Sequence, residues 1–478
     1  MIRSHRSSPD EDPLVDQTSS KDLWKVAAAV GLSGLAGYIT ATAPRVAAFT
    51  AILVACGLLA HMAKLSTLEV LSVLLPVSFV ITIGFGLTTE FELNVSAADA
   101  ILPLAIVSAM SSRANALMPS HAFTRAALTY AVSLIAVTGL SLMVATTTHA
   151  SLDFAYGATA LLKIAISVGY LLAFYHLARR SIAAGDFRFL AAWTLAASVI
   201  SGLSIAGYVL YQSGVPTRFT QDYRLIGTFE DPNLFSSYLV ISFCFLLMSR
   251  IVNPKAWKTV SAVVILASMV LTGSRAVIPA VLAGLLVAVF TARGERVARR
   301  QLWRMTILGM ALVTTAFLVW NPTTSLESVS RIFTSENTAA SDARIELWSV
   351  AWKMWQEHPV LGVGIGQYQA VADQYVFGGV ANIAHNTYLS FLAETGLVGF
   401  VIFMSLPVVI VVRVVRSKRH GNVFAPLLAL SLAAVSVQAL TLNLENSRAL
   451  WALLGISAAF CDVAARKVVP EESFSRSG

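Results

Sequence analysis

Between about Trp24 and Arg466 the chain alternates apolar runs of roughly 17 to 25 residues with short polar breaks, the length at which a helix crosses a hydrocarbon layer. Fourteen such runs begin near Trp24, Val46, Leu68, Ala98, Ala126, Ala155, Phe189, Leu234, Thr259, Ala276, Met305, Thr387, Val423 and Ala449. The run from Ala98 is interrupted by Pro103 and a serine-rich end, and that from Thr259 is short, so the expected number of spans is 12 to 14. The pattern predicts an all-α, polytopic helical membrane bundle. It divides the chain into a polar tail (1–22), spans with short connections (23–320), one long loop (321–384), C-terminal spans (385–466) and a second tail (467–478).

Composition agrees with the periodicity. The chain is 56% hydrophobic and 13% charged, where soluble domains are about one-quarter charged. The N-terminal tail lacks a small-residue cleavage site after its first apolar run and is read as a cytoplasmic tail, not a signal peptide. Cys56, Cys244 and Cys461 all lie within apolar runs and read as small hydrophobes, with no disulfide framework.

The formal charge of +8 is best read as an orientation signal, because Lys and Arg are retained on the cytoplasmic side of a membrane. With both termini inside, 25 of the 34 Lys and Arg residues fall in cytoplasmic segments and eight in outer ones, with Lys163 inside a span. No nucleic-acid partner is needed to explain the charge, and basic connections such as Arg293 to Arg304 would meet anionic lipid headgroups. Three outer connections are longer than a turn needs: Thr88 to Ala97, Gln212 to Asn233, and Asn321 to Ala384, the last of 64 residues. A connection that long in a compact bundle is seldom passive.

Candidate chemistry gathers in these outer segments. In the long loop, Ser341 reads as an N-cap and the run to Glu357 as a helix ending before Pro359, with Ile345, Trp348, Trp352 and Trp355 on a face able to lie on the bundle or in the interface. Arg344 stands at the start of that helix, where spacing alone allows a solvated charge or a headgroup anchor. Gly362, Gly364 and Gly366 lack the strand and crossover of a dinucleotide fingerprint and read instead as a tight, close-packed turn. His385 closes the loop at the mouth of the next helix, placed either structurally or for proton transfer near neutral pH, with Asn386 beside it. Glu394, nine residues on, lies on the opposite side of an ideal helix and reads as a hydrogen-bonding or packing carboxylate.

Arg224 sits in the turn-rich segment Arg224 to Asn233, and Arg275 in Leu271 to Ala276 between two apolar runs. A guanidinium at a membrane margin needs a partner, and its planar fork suits a diphosphate. Lys163, inside its span, is a possible fourth cation. Glu230 and Asp231 read as capping or arginine-pairing carboxylates. With no outer Asp-x-Asp pair, no metal site is expected, and no cofactor is implied.

The ordered set Arg224 to Asn233, Leu271 to Ala276, Asp342 to Tyr368 and His385 to Gly399 resembles the O-antigen ligase and Wzy-type polysaccharide polymerase family. That resemblance implies an inverting, metal-independent glycosyltransferase of the C type, acting on a glycan carried by undecaprenyl diphosphate. It implies His385 as the base that activates an acceptor hydroxyl, and Arg224, Arg275 and Arg344 as ligands of the donor diphosphate. The acceptor would be another glycan, lipid A core or a protein hydroxyl, with membrane lipids as surroundings and the active site facing the periplasm. The alternative from another class is a transporter or lipid-linked glycan flippase, which should show interrupted helices in matching halves; no such internal repeat is visible.

The basic-residue asymmetry predicts that single cysteines placed between 321 and 384 react with a membrane-impermeant thiol reagent from the periplasmic side of intact inner membranes. Cysteines between Arg293 and Arg304 should react only after permeabilisation. The reverse pattern would invert the topology.

Overall fold

The computed structural model describes residues 67–88, 91–111, 122–148, 153–252, 256–292, 338–375 and 383–466 and, singly, 300 and 303. All lie within one compact unit, Ser66–Gly478. The runs expected to begin near Trp24, Val46 and Met305, and both tails, fall outside the described residues.

In chain order the elements are α1 (Thr67–Ser78), the hairpin β1 (Thr82–Thr88) and β2 (Phe91–Ser96), α2 (Ala97–Ser111), α3 (Ala122–Thr148), α4 (Phe154–Ala183) and α5 (Arg188–Gln212). A two-residue hairpin, β3 (Thr220–Gln221) and β4 (Arg224–Leu225), then leads to α6 (Pro232–Val252), α7 (Trp257–Leu271) and α8 (Val277–Thr291). After these come α9 (Thr338–Glu357), the short α10 (Tyr368–Ala372), α11 (Thr387–Ser417), α12 (Ala425–Gln438) and α13 (Arg448–Arg466). Helix dominates, as a bilayer requires of a chain that must satisfy its own backbone polar groups. Among the described residues six helices are long and apolar enough to cross a membrane, namely α3, α4, α5, α6, α11 and α13. Helices α1, α2, α7, α8 and α12 are apolar but shorter.

The expected runs from Ala98 through Ala276, and from Thr387 onward, each coincide with a helix, whereas the run from Leu68 is helical to Ser78 and continues as the strand Thr82–Thr88. The connection Thr88 to Ala97 departs from expectation, because it is an antiparallel hairpin pairing Thr82 with Ser96 and Gly84 with Asn94. Alternation of apolar and polar residues in Phe91–Ser96 suits a strand better than a loop.

Helix pairs approach closely where a glycine meets a partner backbone. Helix α13 packs along α4, and a Cβ at Gly455 would collide with the Leu171 carbonyl. Helix α12 packs along α8, and a Cβ at Gly284 would come within 2.7 Å of the Leu430 oxygen. Between α1, α4, α5 and α6 lies an aromatic cluster centred on the fully buried Trp193, whose ring meets Phe79, Phe174, Tyr238 and Phe245. Its indole N–H donates to Ser242 Oγ at 2.9 Å, so the one polar atom of the ring is satisfied in the core. Cys244 and Cys461 are buried free thiols, as read from their apolar surroundings.

Helix α9 begins at Thr338, three residues before the expected cap at Ser341, because the Thr-Ala-Ala segment ahead of Ser341 is itself helical. Val350, Ala351 and Met354 pack toward the bundle with Val363, Tyr368 and Val371. The tryptophan face is divided: Ile345 and Trp352 are exposed, whereas Trp348 and Trp355 are half-buried with their indole Nε1 atoms enclosed.

The break in α11 organises the rest. At Gly396 the backbone takes φ 64° and ψ −170°, a region open essentially to glycine. The carbonyls of Ala393 and Glu394 lose helical partners there and accept instead from Val363 N–H and Gly364 N–H, each at 3.0 Å. Leu397 N–H donates back to the Pro359 carbonyl at 2.8 Å, and Ser141 Oγ donates to the Glu394 carbonyl at 2.6 Å. Segment 359–366 is therefore laid into the gap of a broken helix, and Gly362 and Gly396 are the residues that let two backbones touch: a Cβ at Gly362 would lie 2.5 Å from the Ala393 oxygen.

Replacing Gly396 by alanine should destabilise the protein by about 1–3 kcal/mol from backbone strain, with a further steric cost against Val360. Gly421 has the same sign of φ (73°) but open space around it, so Gly421→Ala reports strain alone. Thermal unfolding of both variants in detergent should show the larger loss at Gly396; equal losses would mean the close approach contributes nothing.

Candidate active site

The turns at one end of the bundle are tied together through backbone groups, and the polar residues of interest are carried on them. His385 has φ 48°, the left-handed region that a residue with a side chain seldom adopts. It is held there on its C-terminal side. Asn386 N–H donates to Asn443 Oδ1 at 3.0 Å, Thr387 N–H to the carbonyls of Ala439 and Leu442 at 2.9 Å, and Thr387 Oγ1 both donates to the Leu442 carbonyl and accepts from Leu444 N–H at 2.7 Å. Asn386 itself caps α11, its Oδ1 accepting from Tyr388 and Leu389 N–H. A non-glycine residue in this conformation stores roughly 1 kcal/mol or more, so the clamp on 386–387 holds a costly geometry.

The half-buried His385 ring lies within electrostatic reach of Arg344 on α9 and of Asp231 before α6. Burial, then the Arg344 charge, hold its pKa below the ordinary 6.5, with Asp231 pulling the other way. At neutral pH the imidazole is accordingly uncharged and can accept a proton.

Arg224 is fixed by two contacts. Its Nε donates to the Thr272 carbonyl at 2.8 Å and an Nη to Asn233 Oδ1 at 3.0 Å. Thr272 belongs to the turn between α7 and α8 that carries the exposed Arg275, and Gly273 within it has φ 59°. Asp231 Oδ1 accepts from Asn233 N–H at 2.7 Å and Leu234 N–H at 3.2 Å, the capping role read from the sequence. Arg344 and Asp231 thus lie within electrostatic reach of His385, while Arg224 touches the turn that carries Arg275 and shares its segment with Asp231.

Lys163 and Glu394 have other partners. Lys163 is within electrostatic reach of Glu445, whose carboxyl is raised above the usual carboxylate range by burial against the lowering effects of its hydrogen-bond donors and of Lys163. Glu394 accepts from Tyr368 N–H at 3.0 Å and from the Gly366 backbone, a hydrogen-bonding carboxylate as expected. Gln367, fully buried, accepts from Asp153 N–H at 3.0 Å and donates to its carbonyl at 2.7 Å, fastening the glycine turn to the start of α4.

A half-buried ion pair at the same end is not among the residues singled out from the sequence. Arg448 grips Asp99 through two bonds of 2.9 and 2.6 Å, Tyr170 donates to Asp99 at 2.6 Å, and Glu230 lies in electrostatic reach of Arg448. The signal was present: an aspartate near the start of one apolar run and an arginine at the start of another, each costly at a membrane margin without a partner.

Residues 260–404 match the family model described as O-antigen ligase. The family read from the motifs is the family found over that segment, which includes Arg275, Arg344, the glycine turn, His385 and the break in α11. Arg224, Lys163 and Glu445 lie outside it, so their bearing on an O-antigen ligase site rests on the contacts above. A search of curated proteins finds no match to the chain.

The electrostatics around His385 predict opposite shifts from two neutralising substitutions. Arg344→Gln should raise the titration midpoint of the His385 imidazole and Asp231→Asn, which preserves the cap, should lower it. Histidine NMR on the full-length protein, assigned with His385→Gln, reads both; a midpoint unmoved by either would dissolve the coupling.

Proposed function

We propose that this protein transfers a glycan from an undecaprenyl-diphosphate carrier to an acceptor hydroxyl, inverting the anomeric centre and using no metal ion. The O-antigen ligase match supports glycosyl transfer in polysaccharide biosynthesis by a membrane enzyme. The observation that carries the finer reading is His385, clamped in a left-handed backbone and uncharged, with Arg344 beside it and the Arg224–Arg275 turns joined through Asp231's segment.

Neutral His385 takes the proton of the acceptor hydroxyl as its oxygen attacks the anomeric carbon from the face opposite the carrier. The new glycosidic C–O bond forms while the bond to the diphosphate breaks, and that electron pair leaves on the diphosphate oxygen. Arg224, Arg275 and Arg344 would bind the departing charge, which grows toward the transition state and is met best by charges already in place. The proton on His385 then passes to water. Under this reading the site faces the periplasm, and the acceptor is a growing glycan or lipid A core.

His385→Ala should reduce transfer by roughly 10² to 10⁴ while donor binding stays nearly intact, because proton abstraction fails and recognition does not. Arg224→Lys and Arg275→Lys should weaken donor binding as well, since a point charge cannot reproduce a two-pronged contact to phosphate. Transfer from purified lipid-linked donor should also persist in excess chelator. Near-normal transfer by His385→Ala, or loss in chelator restored by Mg²⁺ or Mn²⁺, would overturn the mechanism.

A further inference from the structure

Next to the loop that carries His385 is a cavity of about 160 Å³, lined among others by Tyr156, Lys163, Glu394, Asn443, Glu445 and Asn446. It shares two connections with the site already described. Ile383, two residues before His385, forms part of its wall, and Asn443, another wall residue, is the side chain that accepts from Asn386 N–H. None of the three arginines lines it.

The wall has donors and acceptors left over for a ligand. Asn443 Nδ2 occupies Glu445 Oε1 at 3.0 Å, but among the described residues no hydrogen-bond partner reaches the buried Glu445 Oε2 and Asn446 Oδ1. Buried acceptors without donors are rare in folded proteins and call for a partner from outside. That partner has to donate hydrogen bonds to these two oxygens and can accept from the Lys163 ammonium. Hydroxyl groups do both. The carboxyl groups of Glu394 and Glu445 share the wall with the single ammonium of Lys163, so the cavity offers hydrogen-bonding groups of both kinds and not the surplus of positive charge an anion would need. Tyr156, an exposed aromatic residue of the wall, is of the kind that covers the C–H face of a sugar. The volume holds about five waters or one six-membered sugar ring.

We propose that this cavity binds an uncharged sugar ring of the acceptor, its hydroxyls donating to Glu445 and Asn446 and accepting from Lys163, so that a hydroxyl at its rim is presented to the His385 loop. The acceptor role rests on the glycosyl-transfer reading; the sugar site itself rests on the cavity. It gives Lys163 and Glu445 a common task distinct from holding a diphosphate.

The test uses the full-length protein in lipid nanodiscs. Saturation-transfer NMR is recorded with methyl glycosides of neutral hexoses and N-acetylhexosamines, and with methyl glucuronide as the anionic comparison. At least one neutral glycoside should receive saturation and the glucuronide should not. Lys163→Met removes the ammonium, and Thr159→Trp fills the cavity from α4 without touching a carboxylate; each should weaken the glycoside signal about tenfold, the scale of one hydrogen bond to a charged group, while donor binding persists. In transfer assays the acceptor KM should rise more than kcat falls. No signal from any neutral glycoside, or a signal equal in wild type and both folded variants, would overturn the sugar site. A glycoside signal lost in both variants of a protein that transfers no glycan would keep the sugar site and overturn its acceptor role.

Discussion

The break in α11 at Gly396 is the constraint on which the rest of this end of the molecule depends. In a helix surrounded by apolar material, an opened turn exposes carbonyls that water cannot reach, and each must find a donor within the protein. Here Val363 and Gly364 supply the N–H groups and Ser141 a hydroxyl. The docked segment can come that close only because Gly362 and Gly396 carry no side chain. From that contact the chain runs one way through Gln367 to the start of α4 and the other way down α9, whose Val350, Ala351 and Met354 pack against it. The placement of Arg344 relative to His385 is thus set by a backbone contact more than by any contact between the two side chains.

A second constraint is the scarcity of charge. Where only 13% of residues are charged, several ions near the helix ends are matched to an opposite charge or a backbone group. Asp99 holds Arg448, Asp462 holds Arg413, and Asp231 caps α6 while facing His385. These pairs sit at the ends of the helices, where the cost of ionisation is lower than mid-span. Within this frame burial and then the Arg344 charge lower the pKa of His385, and Asp231 acts the other way.

The helices were legible because apolar run length is a direct physical requirement of the bilayer, and the starts at Ala155, Phe189 and Thr387 agree with the observed ones to within a residue or so. The capping role of Asp231, the hydrogen-bonding role of Glu394 and the close-packed glycine turn were also legible, since each follows from local chemistry. The hairpin at Thr82–Ser96 was not, because a short alternating stretch between two apolar runs carries little period. Nor was the packing of Val350, Ala351 and Met354 of α9 against the glycine turn, because the tryptophans dominate the hydrophobicity of that helix. The pairing of Arg448 with Asp99, and of Lys163 with Glu445, spans hundreds of residues and depends on which helices become neighbours, which no local pattern encodes.

A broken helix is also a hallmark of transporters, so its use here bears on the class of protein. In a transporter the unwound carbonyls stay available to coordinate a cation, and a matching break occurs in the other half of the bundle. In α11 the Ala393 and Glu394 carbonyls accept from N–H and O–H donors of the protein itself, so the opened turn is used to hold segment 359–366. Among the described residues α11 is the helix with such a break, and no second one answers it across the bundle. The break is therefore a socket that holds a loop in place. A held loop, carrying an arginine to one side of a histidine whose own backbone is clamped, is what a site of fixed geometry requires, and alternating access requires the opposite.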